Sequence, residues 1–179
     1  MNKESEIDIA ATPLPPTLLN KLVEELARGI SLINATDDIT YCRTANGSGS
    51  VGGQFRHNLD FSGCLLKAVE NGQIDYNDRE RDIRVETDRQ YAAVRFGAVI
   101  HRLNELKPRI LGKTLLIRSE VEKRMWLPSS FAREVEFVHS HTVHHHALIA
   151  EKLAGFGVTV GDNFGVAPST LEYWEKRAA

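Results

Sequence analysis

Apolar side chains recur three and four residues apart along several long stretches of this chain, the pattern of a helix with one buried face. The first stretch follows Pro16, and its apolar positions are Leu18, Leu19, Leu22, Val23, Leu26, Ile30 and Ile33. Proline is tolerated in the first turn of a helix but not in its interior, so we predict a helix directly after Pro16. A second helix is predicted from a Ser50 cap to about Asn71, because Gly72 is a typical stop signal.

Two more long helices are predicted nearer the C-terminus. The third covers residues 86–106, and Pro108 prevents it from continuing. The fourth begins at a cap on Ser129 or Ser130 and ends at the glycines within residues 155–157. Together with the first two, these stretches supply the four long helices that a helix bundle needs.

A short β excursion and a short last helix complete the predicted elements. Residues 114–121 are the best strand candidate, and together with residues 125–127 they predict a hairpin. Residues 169–172, Ser-Thr-Leu-Glu, fit a capping box that opens the last helix. The whole pattern predicts an all-α fold, a four-helix bundle with a short β-hairpin excursion and a short C-terminal helix. At 179 residues the chain is predicted to form one domain, 1–179.

Composition and charge argue against several classes of function. Lysine and arginine (22) nearly balance aspartate and glutamate (24), which gives a net charge of −2 and no clustered basic face for a nucleic acid. The two cysteines, Cys42 and Cys64, are too few for a disulfide framework and fit a reducing compartment. The charged start lacks the apolar centre of a secretory signal. The chain also contains no run of about eighteen apolar residues, which a membrane span would need. We therefore expect a soluble cytoplasmic protein that binds neither nucleic acid nor membrane.

Histidines are concentrated in the fourth predicted helix, where residues 139–146 contain five of the seven in the chain. Histidine is the commonest metal ligand and titrates near neutral pH, so such a cluster indicates metal or acid–base chemistry. Only residues three or four apart share a helix face. Within the cluster, His141 and His145 are four apart, and His141 and His144 are the three-residue alternative. The spacing therefore predicts a chelating pair.

A third ligand has to come from outside this cluster, because catalytic zinc-type sites commonly use three protein ligands and keep one position for water. The remaining histidines are His57 and His101. His57 lies on an apolar stripe of the second predicted helix, which faces the core. His101 lies near the end of the third, where an imidazole can complement the terminal carbonyl groups. We therefore predict a metal site made of His57, His141 and His145.

The alternative interpretation is that these histidines are hydrogen-bonded core or surface side chains with no ligand. The other three histidines of the cluster project away from the predicted pair. We expect His144 near the rim of the site, and His139 and His146 on the opposite, outer side of the helix.

The charged connection before the third helix, residues 76–89, has two interpretations. A run of charges is usually a solvated face. Alternatively, one of its arginines forms a clamp for an anionic substrate beside the metal, since the planar guanidinium suits carboxylates and phosphates. The candidates for this clamp are Arg79, Arg81 and Arg84. In that case Asp82 and Glu86 orient those arginines or a ligand imidazole.

Several of these segments together resemble one known family. Residues 50–59, Ser-Val-Gly-Gly-Gln-Phe-Arg-His-Asn-Leu, resemble the first histidine-bearing helix of the DinB-like superfamily, which includes the YfiT-type thiol transferases. Residues 141–145, His-Thr-Val-His-His, resemble the H-x-x-x-H motif on its last bundle helix, and residues 164–170 resemble a segment of some bacterial members. The resemblance covers nearly the whole chain in order, and that order is fairly specific.

The resemblance implies a four-helix bundle whose three histidines hold one divalent metal ion, often nickel or zinc, with water completing the site. Carried over position by position, the ligands are His57, His141 and His145. It also implies a homodimer and a small-molecule substrate, and the activities known in the superfamily are mainly transfer of low-molecular-weight thiols. A glutamine that follows the second motif histidine in some relatives is absent, because residues 146–149 are His-Ala-Leu-Ile.

Two hypotheses of function follow from the sequence. In the first, the chain is a metal-dependent enzyme that activates a thiol or a water molecule, and acts as a thiol S-transferase or a hydrolase on a small molecule. In the second, it is a non-catalytic metal-binding bundle that serves in stress or metal sensing or as a structural dimer. An exchangeable water at the metal favours the first hypothesis, and a fourth protein ligand favours the second.

Overall fold

A computed structural model of the protein describes residues 17–44 and 49–178. Helices account for most of this part of the chain, and a small sheet accompanies them. The helices are α1 (Thr17–Ala35), α2 (Asp38–Cys42), α3 (Val51–Asn71), α4 (Arg84–Thr87), α5 (Arg89–Glu105), α6 (Phe131–Gly155) and α7 (Pro168–Ala178). The strands are β1 (Gln73–Ile74), β2 (Thr114–Arg118) and β3 (Trp126–Ser130), and a short 3₁₀ helix covers Pro108–Gly112. The fold is therefore mainly helical with a β excursion, as the sequence predicted.

The long helices begin and end largely where local sequence signals predict. The Ser50 hydroxyl accepts a hydrogen bond from the backbone N–H of Gly53, which caps α3. Gly72 ends the same helix in the left-handed conformation, with φ of 70°. At the start of α6, the predicted cap is Ser130, whose side chain accepts from the N–H of Arg133.

Two helix starts differ from their predictions, each for a local reason. The third long helix was expected from residue 86, but the chain forms the short α4 first and then breaks at Asp88. Asp88 has extended backbone angles, and its carboxylate accepts from the N–H of Tyr91, which makes it the cap of α5. The last helix begins at Pro168, one residue before the predicted cap, so the capping-box prediction is wrong. Proline takes the first helical position because its fixed φ suits that turn.

The three strands form one sheet in the order β1-β2-β3. β2 and β3 pair antiparallel, with Thr114 opposite Ser130 and Arg118 opposite Trp126, so the predicted hairpin is confirmed. β1 adds to β2 in parallel, with Gln73 opposite Leu116. β3 leads directly into α6, and the sheet therefore sets where the histidine-bearing helix begins.

Four long helices, α1, α3, α5 and α6, make the main packing contacts of the described residues. α1 packs against α5 and α6, and α3 packs against the same two helices. Side chains buried between them include Leu22, Leu26, Phe55, Phe96 and Phe131. α6 therefore has two buried faces, one against α3 and one against α1. None of the helices in this described part combines the length and apolarity needed to cross a bilayer.

A glycine lets α3 approach α4 closely. A Cβ atom added at Gly52 would overlap the carbonyl oxygen of Glu86 and lie 2.6 Å from Cε1 of Tyr41. The Tyr41 hydroxyl donates a 2.8 Å hydrogen bond to the carbonyl of Val85, which ties α2 to α4 at the same point. Gly52 therefore fixes the distance between the first turn of α3 and the charged connection.

We expect Gly52→Ala to destabilise the protein, because the added methyl group meets backbone that cannot easily move. The expected loss in the free energy of unfolding is about 1–3 kcal/mol, typical of overpacking. Gly63→Ala is the matched control in the same helix, since a Cβ there meets nothing within 4 Å. That variant should gain about 0.5–1 kcal/mol from the better helix propensity of alanine. Urea unfolding measures both, and equal stability of the two variants would contradict the close contact.

Candidate metal centre

Three imidazoles from two helices meet at the contact between α3 and α6. α3 supplies His57, and α6 supplies His141 and His145, which are four residues apart on one face. One ring nitrogen of each lies within 4.8 Å of the others. The ring centroids are 4.5 Å apart for His57–His145 and His141–His145, and 5.1 Å apart for His57–His141. The structure thus brings together the three residues that the sequence singled out, and such a group can hold a metal ion.

An aromatic side chain packs against two of the three imidazoles. Phe61 lies one helical turn after His57 on α3, and its ring centroid is 4.8 Å from that imidazole. The same ring stacks on His141 with a centroid distance of 3.9 Å. The Phe61 ring therefore limits the positions that His57 and His141 can take, and it shields one side of the group from water.

A hydrogen bond fixes the third imidazole. Oε1 of Gln54 lies 2.6 Å from Nδ1 of His145. An amide oxygen only accepts, so Nδ1 of His145 carries the proton and Nε2 keeps its lone pair. Gln54 lies three residues before His57 on the same face of α3. Sequence reasoning gave it no role, although this spacing is the signal that could have found it.

One buried nitrogen of the group has no hydrogen-bond partner within the described part of the chain. Nε2 of His141 is buried and makes no hydrogen bond. A buried polar atom without a partner has lost its hydration with nothing in return. Coordination to a metal ion would supply the missing interaction, so the donor set of the group fits a metal.

Burial keeps these imidazoles uncharged. Burial first, and then the neighbouring imidazoles, lower the pKa of His57, His141 and His145 from the usual 6.5 to about 4. At neutral pH all three rings are therefore in the neutral form, which is the form that binds a metal.

Only one of the three predicted clamp arginines lies beside this group. The guanidinium carbon of Arg79 is 5.3 Å from the ring centroid of Phe61. After burial and the neighbouring imidazoles, the charge of Arg79 also lowers the pKa of His57 and of His141. Arg81 instead donates to the carbonyl of Asn77, and Arg84 forms an exposed 3.1 Å ion pair with a nearby aspartate.

Of the two acids expected to orient the arginines or a ligand imidazole, neither contacts an imidazole, and Asp82 reaches only the backbone N–H of one candidate, Arg84. Asp82 accepts hydrogen bonds from the side chains of Tyr91 and Arg95. Glu86 accepts from Nε of Arg56 at 2.5 Å. The expectation that they orient a ligand imidazole is therefore wrong, and an amide on α3 takes that place.

The remaining histidines correct another expectation. His139 and His146 lie on the opposite face of α6 from the group, as predicted, but both are buried rather than on the outside. That face packs against α1, where Nδ1 of His146 is 2.6 Å from Oε1 of the buried Glu25. His144 is exposed, with its ring centroid 5.4 Å from that of His145. His101 is exposed on α5, 3.5 Å from a glutamate one turn away.

A cavity of about 350 Å³ opens one aromatic layer away from the imidazoles. Tyr76 and Phe137 line it, and Phe137 lies one turn before His141, with centroids 5.8 Å apart. Deeper in its wall, Glu134 accepts hydrogen bonds from the hydroxyls of Tyr76 at 2.9 Å and Ser129 at 2.7 Å. Sequence reasoning missed this space, because it forms between α6 and the sheet.

Comparison with protein-family models and with solved structures gives no match. Among curated proteins, FK506-binding protein 5 of Rhizopus delemar is 30% identical over 108 residues, which are 58% of this chain. The chain covers 28% of the length of that protein. The family of the chain is therefore not shown by these comparisons, and the DinB-like resemblance stays a prediction.

We expect the metal-free protein to lose stability as the pH falls from about 6.5 to about 4, the interval between the unfolded and folded pKa values of His57, His141 and His145. In this interval the unfolded chain binds protons that the folded chain excludes, so protonation favours unfolding. Urea unfolding at a series of pH values, in the presence of a chelator, measures the loss. His141→Gln should reduce it, whereas His101→Gln, at an exposed site, should leave it as in the wild type. Equal pH dependence in both variants would contradict the burial of neutral imidazoles.

Proposed function

We propose that the chain is a divalent-metal-dependent enzyme of the DinB-like type. In this proposal α1, α3, α5 and α6 form a four-helix bundle, and His57, His141 and His145 hold one zinc or nickel ion. The reaction is transfer of a low-molecular-weight thiol, or hydrolysis, on a small-molecule substrate. The observation that carries the proposal is the convergence of three neutral imidazoles from two helices.

The number of ligands supports a catalytic rather than a structural ion. Among the described residues, no fourth histidine, cysteine or acidic side chain belongs to the group. Structural zinc sites are usually closed by four protein ligands, whereas catalytic sites use three and leave a position for water or substrate. An open position therefore favours the enzyme hypothesis over the non-catalytic metal-binding bundle.

A divalent ion held by His57, His141 and His145 would lower the pKa of a water molecule or thiol toward neutrality and so would supply a nucleophile. The residues of the chain prepare this chemistry. Gln54 holds the tautomer of His145, and the ring of Phe61 keeps water from one side. Cys64 does not compete as a nucleophile, because burial raises the pKa of its thiol to about 11.

The cavity beside Phe137 is large enough for part of a small molecule, and we propose that the substrate enters there. The homodimer implied by the resemblance is part of the same proposal. The FK506 binding in the name of the Rhizopus protein is not carried over, since this chain spans 28% of that protein.

Metal content tests the site directly. Untagged wild-type protein, reconstituted with zinc or nickel and then dialysed, should contain about one equivalent by elemental mass spectrometry. His57→Ala and His141→Ala should contain far less, because two imidazoles bind a divalent ion much more weakly than three. His101→Ala is the matched control, since its imidazole is exposed on α5, and it should bind as the wild type does.

Two results would contradict this site. Equal metal in all variants would mean that other residues hold the ion, and no metal in the reconstituted wild type would remove the site altogether. The loaded wild type is then assayed for thiol transfer and for ester and amide hydrolysis, with His57→Ala as the blank. One bound equivalent without either activity would favour the non-catalytic hypothesis.

The hydrogen bond from His145 to Gln54 should strengthen metal binding. Gln54→Leu removes the acceptor, and we expect about a tenfold loss of metal affinity, as is usual for such supporting groups. Gln54→Glu keeps an acceptor oxygen at the same place and should bind metal at least as tightly as the wild type. Competition with a chromophoric chelator measures both variants, and equal affinity of Gln54→Leu and wild type would show that the hydrogen bond plays no part.

A further inference from the structure

Arg79, the arginine beside the three imidazoles, has no acidic partner among the described residues. Within the described residues, no carboxylate lies within ion-pair distance of Arg79, and its Nε is buried without a hydrogen bond. Asp60 is close enough for the charge of Arg79 to affect its pKa, which burial raises overall. Both oxygens of Asp60 are already in use, because Oδ2 accepts from Arg56 and Oδ1 from the backbone N–H of Arg81. Arg79 is half-buried, and it lacks the neutralising contact that a guanidinium taken partly out of water usually has.

Apart from Arg81, whose exposed side chain also has no acidic partner in the described part of the chain, neighbouring arginines differ in this respect. Most of those on α3, α4 and α5 around the charged connection form ion pairs with acids, so the region does not lack carboxylates. The pairs are Arg56 with Asp60 and Glu86, Arg84 with Asp88, Arg89 with Asp38, and Arg95 with Glu80 and Asp82. Four of the five acids of the connection, Glu80, Asp82, Glu86 and Asp88, thus pair with these arginines and not with Arg79, and Asp78 forms no ion pair with any described residue.

The proposed metal site would place a second uncompensated positive charge near Arg79. All three predicted ligands are neutral imidazoles, so a divalent ion there would keep its full charge. Arg79 adds another positive charge beside it, which repels the ion. Phe61 contacts both His141 and the guanidinium of Arg79, and the charge of Arg79 is close enough to act on the pKa of His57 and of His141. A negatively charged ligand that meets both the ion and Arg79 would remove the repulsion.

We propose that Arg79 binds an anionic group of the substrate, a carboxylate or a phosphate, next to the open position of the three-histidine site. The planar guanidinium donates paired hydrogen bonds to either group. The inference rests on the proposed function and narrows its substrates to small molecules with a negative charge near the reacting centre. Arg79 is then a substrate-binding residue, and Arg81 and Arg84 take no part.

Cobalt(II) provides a readout that does not depend on activity. Untagged wild-type protein loaded with Co²⁺ is titrated with acetate, as the carboxylate probe, and separately with methyl phosphate, as the phosphate probe. The visible absorption of the ion reports binding near it. The variants are Arg79→Gln, Arg79→Lys and Arg81→Gln, and the last removes the same charge from an exposed side chain without an acid partner. Thermal melting checks that each variant is folded.

We expect the Kd of the better-bound probe to rise about tenfold or more in Arg79→Gln, because a charge-assisted pair of hydrogen bonds is lost. Arg79→Lys keeps the charge but not the fork, and its Kd should lie between those of the wild type and Arg79→Gln. Arg81→Gln should bind within twofold of the wild type. Without either probe, Arg79→Gln should take up Co²⁺ at least as tightly as the wild type, because a repelling charge has been removed. The probe with the lower Kd identifies the anionic group as carboxylate or phosphate.

Several outcomes would overturn the inference. A wild-type protein that takes up cobalt but responds to neither probe has no anion site, and equal binding by wild type and Arg79→Gln excludes Arg79. An equal loss in Arg79→Gln and Arg81→Gln would mean that only the net charge matters. Loss of cobalt binding in folded Arg79→Gln would assign Arg79 a structural role. Failure of the wild type to take up cobalt would overturn the proposed function as well, which separates the two cases.

Discussion

The rest of the site depends on one constraint, the burial of three imidazoles in their neutral form where α3 meets α6. Burial prevents them from taking up protons near neutral pH, and their mutual proximity reinforces this effect. Three unprotonated imidazoles whose ring nitrogens lie close together can hold a cation. The surrounding residues are consistent with it, because an amide orients one ring and an aromatic side chain packs against the other two. None of these neighbours is an acid that would stabilise protonated histidine.

Adjacent residues of α6 serve different purposes because the helix has two buried faces. His145 faces α3 and hydrogen bonds with a neutral amide, whereas His146 faces α1 and contacts the carboxylate of Glu25. Burial opposes the charge on Glu25, but the hydrogen bond with His146 and the nearby positive charges together outweigh it and lower the pKa of the carboxyl. The acidic partner therefore lies on the side that packs against α1. On the other side the imidazoles remain available to a ligand.

Local signals in the sequence predicted the helices and the histidine group. The features that could not be predicted from the sequence are those that depend on long-range packing. The four-residue spacing of His141 and His145 requires a shared face, and His57 lies on an apolar stripe, so their meeting follows from helix geometry. The burial of His146 was missed, because it depends on which helix covers the far side of α6. The partner of Arg79 could not be read from the sequence either. Acids are abundant near it, and only the folded connection shows that four of them pair with other arginines.

The backbone of the charged connection is fixed on both sides of Arg79. On the N-terminal side of Arg79, the buried Tyr76 hydrogen bonds with Glu134. On the C-terminal side of Arg79, the backbone of Arg81 has a φ of 51°, which is unusual for a residue other than glycine. The backbone N–H of Arg81 donates a hydrogen bond to the carboxylate of Asp60. The backbone that carries the guanidinium is thus fixed, which lowers the conformational entropy that is lost when a ligand binds. The number of residues between these two anchors then matters as much as their chemistry. Related chains could vary freely in the exposed side chains here, but an insertion of a single residue would displace the charge from the imidazoles.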